Sequence, residues 1–167
     1  MTTQSKQAEI LQLQESTIGR TLQVFDDKIT VKVHGRDTGN QLASFIGEVP
    51  PVAGPPLHVH TREDEFFYVI EGTFRFEANG QQTLVEAGGT VFIPRGTPHT
   101  FQNAGTETGR VLTTVQPAGL EQFFEELSDA ANGSHHPDMS IVVPLFEKYG
   151  MELLGPPLAA RAMAAAV

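Results

Sequence analysis

The sequence contains no cysteine. That single lack excludes a disulfide framework, a thiolate zinc site, an iron–sulfur cluster and a cysteine nucleophile, so any metal must rest on nitrogen and oxygen ligands. Basic residues are few as well, with 11 Lys and Arg against 20 Asp and Glu and a formal net charge of −9 with histidine neutral. Without a Lys/Arg block, such a balance argues against the phosphate backbone of a nucleic acid and against an anionic membrane surface. The opening MTTQSKQAEILQLQES holds no apolar run long enough for a signal-peptide core, and no stretch approaches a membrane span. The expectation is a soluble, cytoplasmic protein that binds neither nucleic acid nor membrane. Also lacking are a phosphate-cradling glycine loop, a Gly-x-Ser-x-Gly elbow and a His-Glu-x-x-His helix. Asn132-Gly133-Ser134 formally fits a glycosylation acceptor, but with no secretory signal it reads only as a loop.

What is present is a chain of 167 residues, 40% hydrophobic, with 11 Phe and 2 Tyr, enough to bury a core within one domain. Between Thr21 and Pro117 it reads as short strands rich in Val, Ile, Phe and Thr, such as Ile29–Val33, Leu42–Ile46 and Phe66–Ile70. Turn residues punctuate them at Glu71-Gly72, Gly88-Gly89 and Asn103-Ala-Gly105, and Asn79-Gly80 is the best hairpin signal. This pattern predicts an all-β sandwich or barrel. After Pro117 the period changes: Leu120, Phe123, Phe124 and Leu127 mark one face of a helix, expected as core packing or a dimer face. A loop from Asn132 to Pro137 leads to a second short helix, Met139–Tyr149, ended by Gly150, and Pro156-Pro157 is expected to close the ordered part, with the alanine-rich last ten residues open as helix, frayed end or oligomer contact. The reading divides the chain into an N-terminal arm (1–20), a barrel (21–117) and a C-terminal helical extension (118–167). An edge strand plus the helical tail makes a homodimer the expected assembly.

Two of the six histidines stand as His58-Val-His60, and i, i+2 spacing in a strand turns both imidazoles to one face. Glu65 has the wrong parity for an unbroken strand counted from His60 and reaches that face only if the chain bends near Thr61–Asp64. His99 follows the Pro94-x-Gly96 turn at the start of the apparent strand His99–Asn103. Three neutral imidazoles and one carboxylate could therefore converge.

These stretches resemble the two motifs of the cupin superfamily, His58-x-His60-x4-Glu65-x6-Gly72 and Gly88-x5-Pro94-x-Gly96-x2-His99-x3-Asn103. The family's first motif usually opens with a glycine six residues before the first histidine, where this chain has Val52 and offers Gly54 instead. The resemblance implies a double-stranded β-helix, the jelly-roll barrel of cupins, with metal ligands at His58, His60, Glu65 and His99. The surrounding text, Pro55–Glu65 with Phe67-Tyr-Val-Ile-Glu-Gly72 and Pro117–Leu127, is similar to bacterial proteins grouped with quercetin 2,3-dioxygenases.

Three imidazoles and one carboxylate suit one divalent ion, Fe, Mn, Ni, Co, Cu or Zn, and leave two positions open if coordination is octahedral. The centre then carries about +1, which favours an enolate-like or carboxylate ligand. The resemblance implies a dioxygenase-like oxidoreductase acting on a small enol or flavonol-type substrate or another anionic organic molecule, with Glu65 as the catalytic residue that assists substrate deprotonation. The alternatives are a redox-neutral isomerase, decarboxylase or lyase using the metal as Lewis acid, and a non-enzymatic small-molecule-binding module. Phe67 shares parity with Glu65, and Phe101 with His99, so these two are expected to line the substrate pocket. Phe67, Val69, Phe74, Phe76 and Phe101 all read first of all as core. Glu63 and Asp64 could compete with Glu65 as ligands, but the spacing favours Glu65 and the two are expected on a solvated face. Asn103 is expected in a turn bonded to backbone, and Arg75 and Arg95 could steer an anion, although surface arginines are commoner. His34, His135 and His136 carry no spacing signal and read as surface or hydrogen-bonded residues.

Overall fold

Buried and part-exposed side chains alternate along most strand-forming runs, as in Gly109–Gln116, where every second residue is buried. A computed structural model of the protein describes residues 21–164. The strands are β1 (Thr21–Val24), β2 (Asp27–Val33), β3 (Ala43–Val49), β4 (Leu57–His60), β5 (Asp64–Glu71) and β6 (Thr73–Ala78). They continue with β7 (Gln81–Glu86), β8 (Thr90–Ile93), β9 (His99–Asn103) and β10 (Gly109–Gln116). Beyond them come α1 (Leu120–Ala131), α2 (Met139–Lys148), β11 (Met151–Gly155) and α3 (Leu158–Ala164).

The strands form two antiparallel sheets, one of six in the order β1-β2-β3-β10-β5-β8 and one of five in the order β11-β4-β9-β6-β7. The fold is the expected all-β double-stranded β-helix. The hairpin at Asn79-Gly80 is also as expected: Ala78 pairs with Gln81, and the two turn residues have φ of 49° and 77°. Both angles lie in the left-handed region that a two-residue type I′ turn requires. The inner faces bury two apolar clusters. One is built on Phe67, Val69, Phe74, Phe76 and Val111. The other joins β1–β3 to the helices through Phe45, Leu120, Phe123, Leu127 and Phe146.

The C-terminal part carries the expected helices and, between α2 and α3, one strand that the sequence reading did not include. β11 adds a strand to the edge of the five-stranded sheet, pairing Met151 with His60 and Leu153 with His58. Pro156-Pro157 does not close the ordered part, because α3 follows it and Arg161 reaches back to Glu77 of β6 at 2.9 Å. Proline fits this place because it opens a helix without losing a needed N–H. α2 ends at Lys148 with Tyr149 as its cap, one residue short of the expected range, and Gly150 follows with φ 74°. The expected N-terminal arm, 1–20, lies outside the described residues.

Candidate metal centre

β4 is only four residues long and alternates strictly, so His58 and His60 both turn inward. β9 runs antiparallel beside it and sets His99 directly opposite His58. The Pro94–Thr97 turn that delivers β9 is tied to β4, since Gly96 N donates to the His60 carbonyl at 2.7 Å. The chain bends at Thr61 and Arg62 before β5 begins, as the parity argument required, and Glu65 enters from the opposite sheet. The four side chains are all buried, and their ligand atoms lie within 4.8 Å of one another.

Each imidazole places Nδ1 against an acceptor: His58 against Pro56 O at 2.8 Å, His99 against Thr97 O at 2.9 Å, and His60 against Glu63 Oε2 at 3.2 Å. Carbonyls and carboxylates only accept, so Nδ1 carries the hydrogen in all three rings and Nε2 of a neutral ring presents a lone pair. Those lone pairs converge. His58 Nε2 and His60 Nε2 stand 3.0 Å apart, and Glu65 Oε2 lies 3.4 Å from His60 Nε2 and 2.6 Å from His99 Nε2. Ligand atoms at right angles around a first-row ion are separated by about 3 Å when the bonds are about 2.1 Å. Despite their closeness, Glu65 Oε2 and His99 Nε2 are not aligned for a hydrogen bond, and both are buried without a partner. The four residues thus fit a single cation: lone pairs packed this closely repel unless a proton or a metal ion stands among them.

The electrostatics point the same way. Burial, with the neighbouring His99 and His60 rings, holds the pKa of His58 well below the ordinary imidazole value. Burial also disfavours charge on His60, but the Glu65 and Glu63 carboxylates outweigh it and raise the pKa. For Glu65, desolvation is opposed by His60 and His99, which bring its pKa down to about 2. The centre holds an ionised carboxylate among imidazoles and favours a positive charge between them.

The quartet opens into a cavity of about 720 Å³ including its mouth. Phe67 and Phe101, the two residues expected to line a pocket, both face it, with ring centroids 5.9 Å apart. Phe45, Phe123, Phe124 and Phe146 complete an aromatic wall. The stripe on α1 is core packing at Leu127, but Leu120, Phe123 and Phe124 also close the cavity, a role the helical period alone does not signal. Asp27, absent from the sequence-based candidates, lines the cavity too.

Other expectations fare unevenly. Glu63 is not on a solvated face: it is 4% exposed and accepts from His60. Asp64 faces outward and binds Arg95 through two oxygens at 2.8 and 3.0 Å, which commits Arg95 to the Pro94–Thr97 turn rather than to steering an anion. Arg75 alternates with the buried Phe74 and Phe76 and so points away from the core. Asn103 anchors its turn as expected, donating to Val49 O and Glu107 O and accepting from Gly105 N, each at 2.8 Å. His34 is buried and hydrogen-bonded in the 3-10 turn at Gly35–Thr38, while His135 pairs with Asp26 at the surface.

Comparison with known proteins agrees with this architecture. Residues 45–115, which span β3 to β10, match the cupin domain family. A probable oxidoreductase, virH, of Hypocrea virens is 33% identical over 78 residues, 45% of this chain and 36% of its own length. Quercetin 2,3-dioxygenase of Bacillus subtilis is 25% identical over 108 residues, 65% of this chain and 32% of its own length. The matched stretches span between 32% and 56% of the curated relatives' lengths. An RmlC-like cupin from Shewanella frigidimarina superimposes with a TM-score of 0.54 at 21% identity, over 71% of this chain and 99% of that one, a likeness of fold. Motif spacing, sheet order and the converging His58/His60/Glu65/His99 cluster agree with these matches, and residues 45–115 carry a cupin domain.

Proposed function

We propose that the protein is a metal-dependent oxidoreductase of the dioxygenase type, acting on a small enol or flavonol-like substrate. In this reading His58, His60, Glu65 and His99 hold one divalent first-row ion, and Phe67 and Phe101 flank the bound ring system. The observation that carries it is the junction of a buried three-imidazole, one-carboxylate cluster with an aromatic-walled cavity. When bound, such an ion supplies a Lewis-acidic, exchangeable and redox-active position.

The remaining work falls to the chain. Its aromatic walls strip water from a flat, apolar substrate and fix its orientation. Glu65, ionised and buried, is the group placed to take the proton of a substrate hydroxyl. Glu63, through His60, keeps one imidazole in a single tautomer and orientation. The relatives named as oxidoreductase and quercetin 2,3-dioxygenase support this class of reaction.

The test is oxygen consumption with 3-hydroxyflavone by protein loaded separately with Fe, Mn, Ni or Co. Uptake that requires metal and is lost in Glu65→Gln supports the dioxygenase. Turnover under argon selects a redox-neutral Lewis-acid enzyme instead, and tight binding without turnover under either atmosphere selects a binding protein.

A further inference from the structure

β1 and β2 meet in a two-residue turn at Phe25 and Asp26, and Val24 pairs with Asp27. Along β2 the positions that face inward are Asp27, Ile29 and Val31, so a carboxylate takes a place that parity reserves for an apolar residue. Gln23 pins the hairpin tip, donating from Nε2 to Phe25 O at 2.7 Å and to Asp27 O at 3.1 Å. Asp27 lines the cavity that also holds the quartet, and its Oδ1 is shut off from solvent with no hydrogen-bond partner. A buried polar atom left unmatched costs about 1–3 kcal/mol, so it calls for a partner that the chain itself does not provide.

Asp27 and Glu65 stand at opposite ends of the six-stranded sheet. Lys28, beside Asp27, pairs with Glu48 of β3, whereas Val115 pairs with both Glu65 and Ala43. Five residues of β3 separate those levels, about 17 Å of strand. Among the described residues these are the two acidic groups in the cavity wall, and the surfaces that share it are largely apolar, with seven phenylalanines among them. Burial, with Asp26 next in the chain, pushes the Asp27 carboxyl up to about 7, so near neutrality it can donate as well as accept. Asp26 itself faces His135 at 3.3 Å.

We propose that Asp27 is the second polar anchor of this cavity, hydrogen-bonding a hydroxyl at the end of the ligand remote from the histidines. The inference rests on the reading of the cavity as a substrate site and narrows the substrate class. The ligand is an elongated aromatic molecule with metal-binding oxygens at one end and a phenolic hydroxyl at the other. Asp27 then acts as a specificity determinant: a ligand lacking that hydroxyl leaves the buried carboxyl unpaired.

The experiment titrates the zinc-loaded full chain with two matched probes, 4-ethylphenol and ethylbenzene, followed by NMR shift perturbation. The wild-type protein is expected to bind 4-ethylphenol about tenfold more tightly, the worth of one net hydrogen bond. Asp27→Leu should bring the ratio of the two dissociation constants close to one. A readout that needs no variant is the Asp27 carboxyl carbon resonance, which should move with 4-ethylphenol and not with ethylbenzene. Equal affinity of the two probes for wild type, a preference retained in Asp27→Leu, or an unmoved Asp27 resonance overturns the anchor. A parallel titration with 3-hydroxyflavone separates the two ideas. If it fails to bind while 4-ethylphenol keeps its advantage, the flavonol reading falls and the anchor stands; the reverse pattern removes the anchor alone.

Discussion

Glu63 Oε2 accepts the Nδ1 hydrogen of His60 across 3.2 Å, with both side chains buried. Such a carboxylate fixes the tautomer of a ligating imidazole and raises its basicity, and its loss typically weakens metal binding about 10–100-fold. Glu63→Ala should therefore lower the affinity for Ni or Zn by that factor in a competitive chelator titration, and Glu63→Gln by less. Glu86→Gln is the control, since Glu86 is exposed on β7, the outer strand of its sheet. Equal affinities in Glu63→Ala and Glu86→Gln would refute the positioning role.

Protons and the cation compete for the same four side chains. Coordination needs neutral imidazoles and an ionised carboxylate, so metal binding weakens as pH falls through the imidazole range. Elemental analysis after dialysis should find the protein loaded near about pH 7.5 and largely metal-free near about pH 5. Excess metal should also raise the melting temperature at neutral pH, because a ligand that binds only the folded state stabilises it. His99→Ala should lose that response; a full response in the variant would mean that the ion binds elsewhere.

The centre was legible in the sequence through its two motifs, and strand geometry explains why they work. The two-residue period turns His58 and His60 to one face, and the break at Thr61 and Arg62 lets Glu65 join them. Long-range cover left no such mark. Glu63 lies three residues from His60, among other acidic residues, and its burial depends on packing that includes Gly119, where a Cβ would stand 3.6 Å from Glu63 Oε1. β11 is a five-residue run whose partner, β4, lies some ninety residues earlier, and no local period announces such a pairing. Asp27, next to a hairpin turn, reads as a solvated turn residue until the aromatic residues of β3 and α1 that share its cavity are in place.

Val52 shows how a departure from the family pattern is accommodated. It occupies the position where the cupin motif usually has glycine, and its φ of 70° lies in the left-handed region that a β-branched residue adopts at a cost of about 1–2 kcal/mol. Its N–H is held by Asn103 O at 3.0 Å and its carbonyl by Gln102 Nε2 at 3.1 Å, while the side chain is 58% exposed. Val52→Gly removes the strain and little packing, against about 0.5–1 kcal/mol of added unfolded-state entropy. The melting temperature should rise by about 1–4 °C. Gly54, two residues on, tolerates no such freedom: a Cβ there would run into the Phe101 carbonyl and come within 3.1 Å of Gln102 Cα. Gly54→Ala should lower the melting temperature and push β4 away from β9, weakening metal binding with it. A stabilised Gly54→Ala, or a destabilised Val52→Gly, would show that this lead-in is not positioned as described.

Asp27 also leaves a signature in stability against pH, with a sign opposite to that of a paired carboxylate. Below pH 3.8, its ordinary pKa, both the folded and the unfolded chain hold the proton and the residue contributes nothing. Between 3.8 and about 7 the unfolded chain releases the proton while burial makes the folded protein keep it, so stability falls as pH rises. Above about 7 the loss is complete and no longer changes. Asp27→Asn abolishes this dependence while keeping Asp26 and its partner His135. Melted without metal, so that the quartet contributes equally to both, the variant should gain on wild type from pH 4.5 to pH 8 by about 1–3 kcal/mol, discounted for the residue's remaining exposure. Asp64 and Glu65, whose pKa values are depressed, push stability the other way and cancel in the comparison. A difference that stays flat across this range, or shrinks toward pH 8, would mean that the Asp27 carboxyl is solvated in the folded protein and free to ionise.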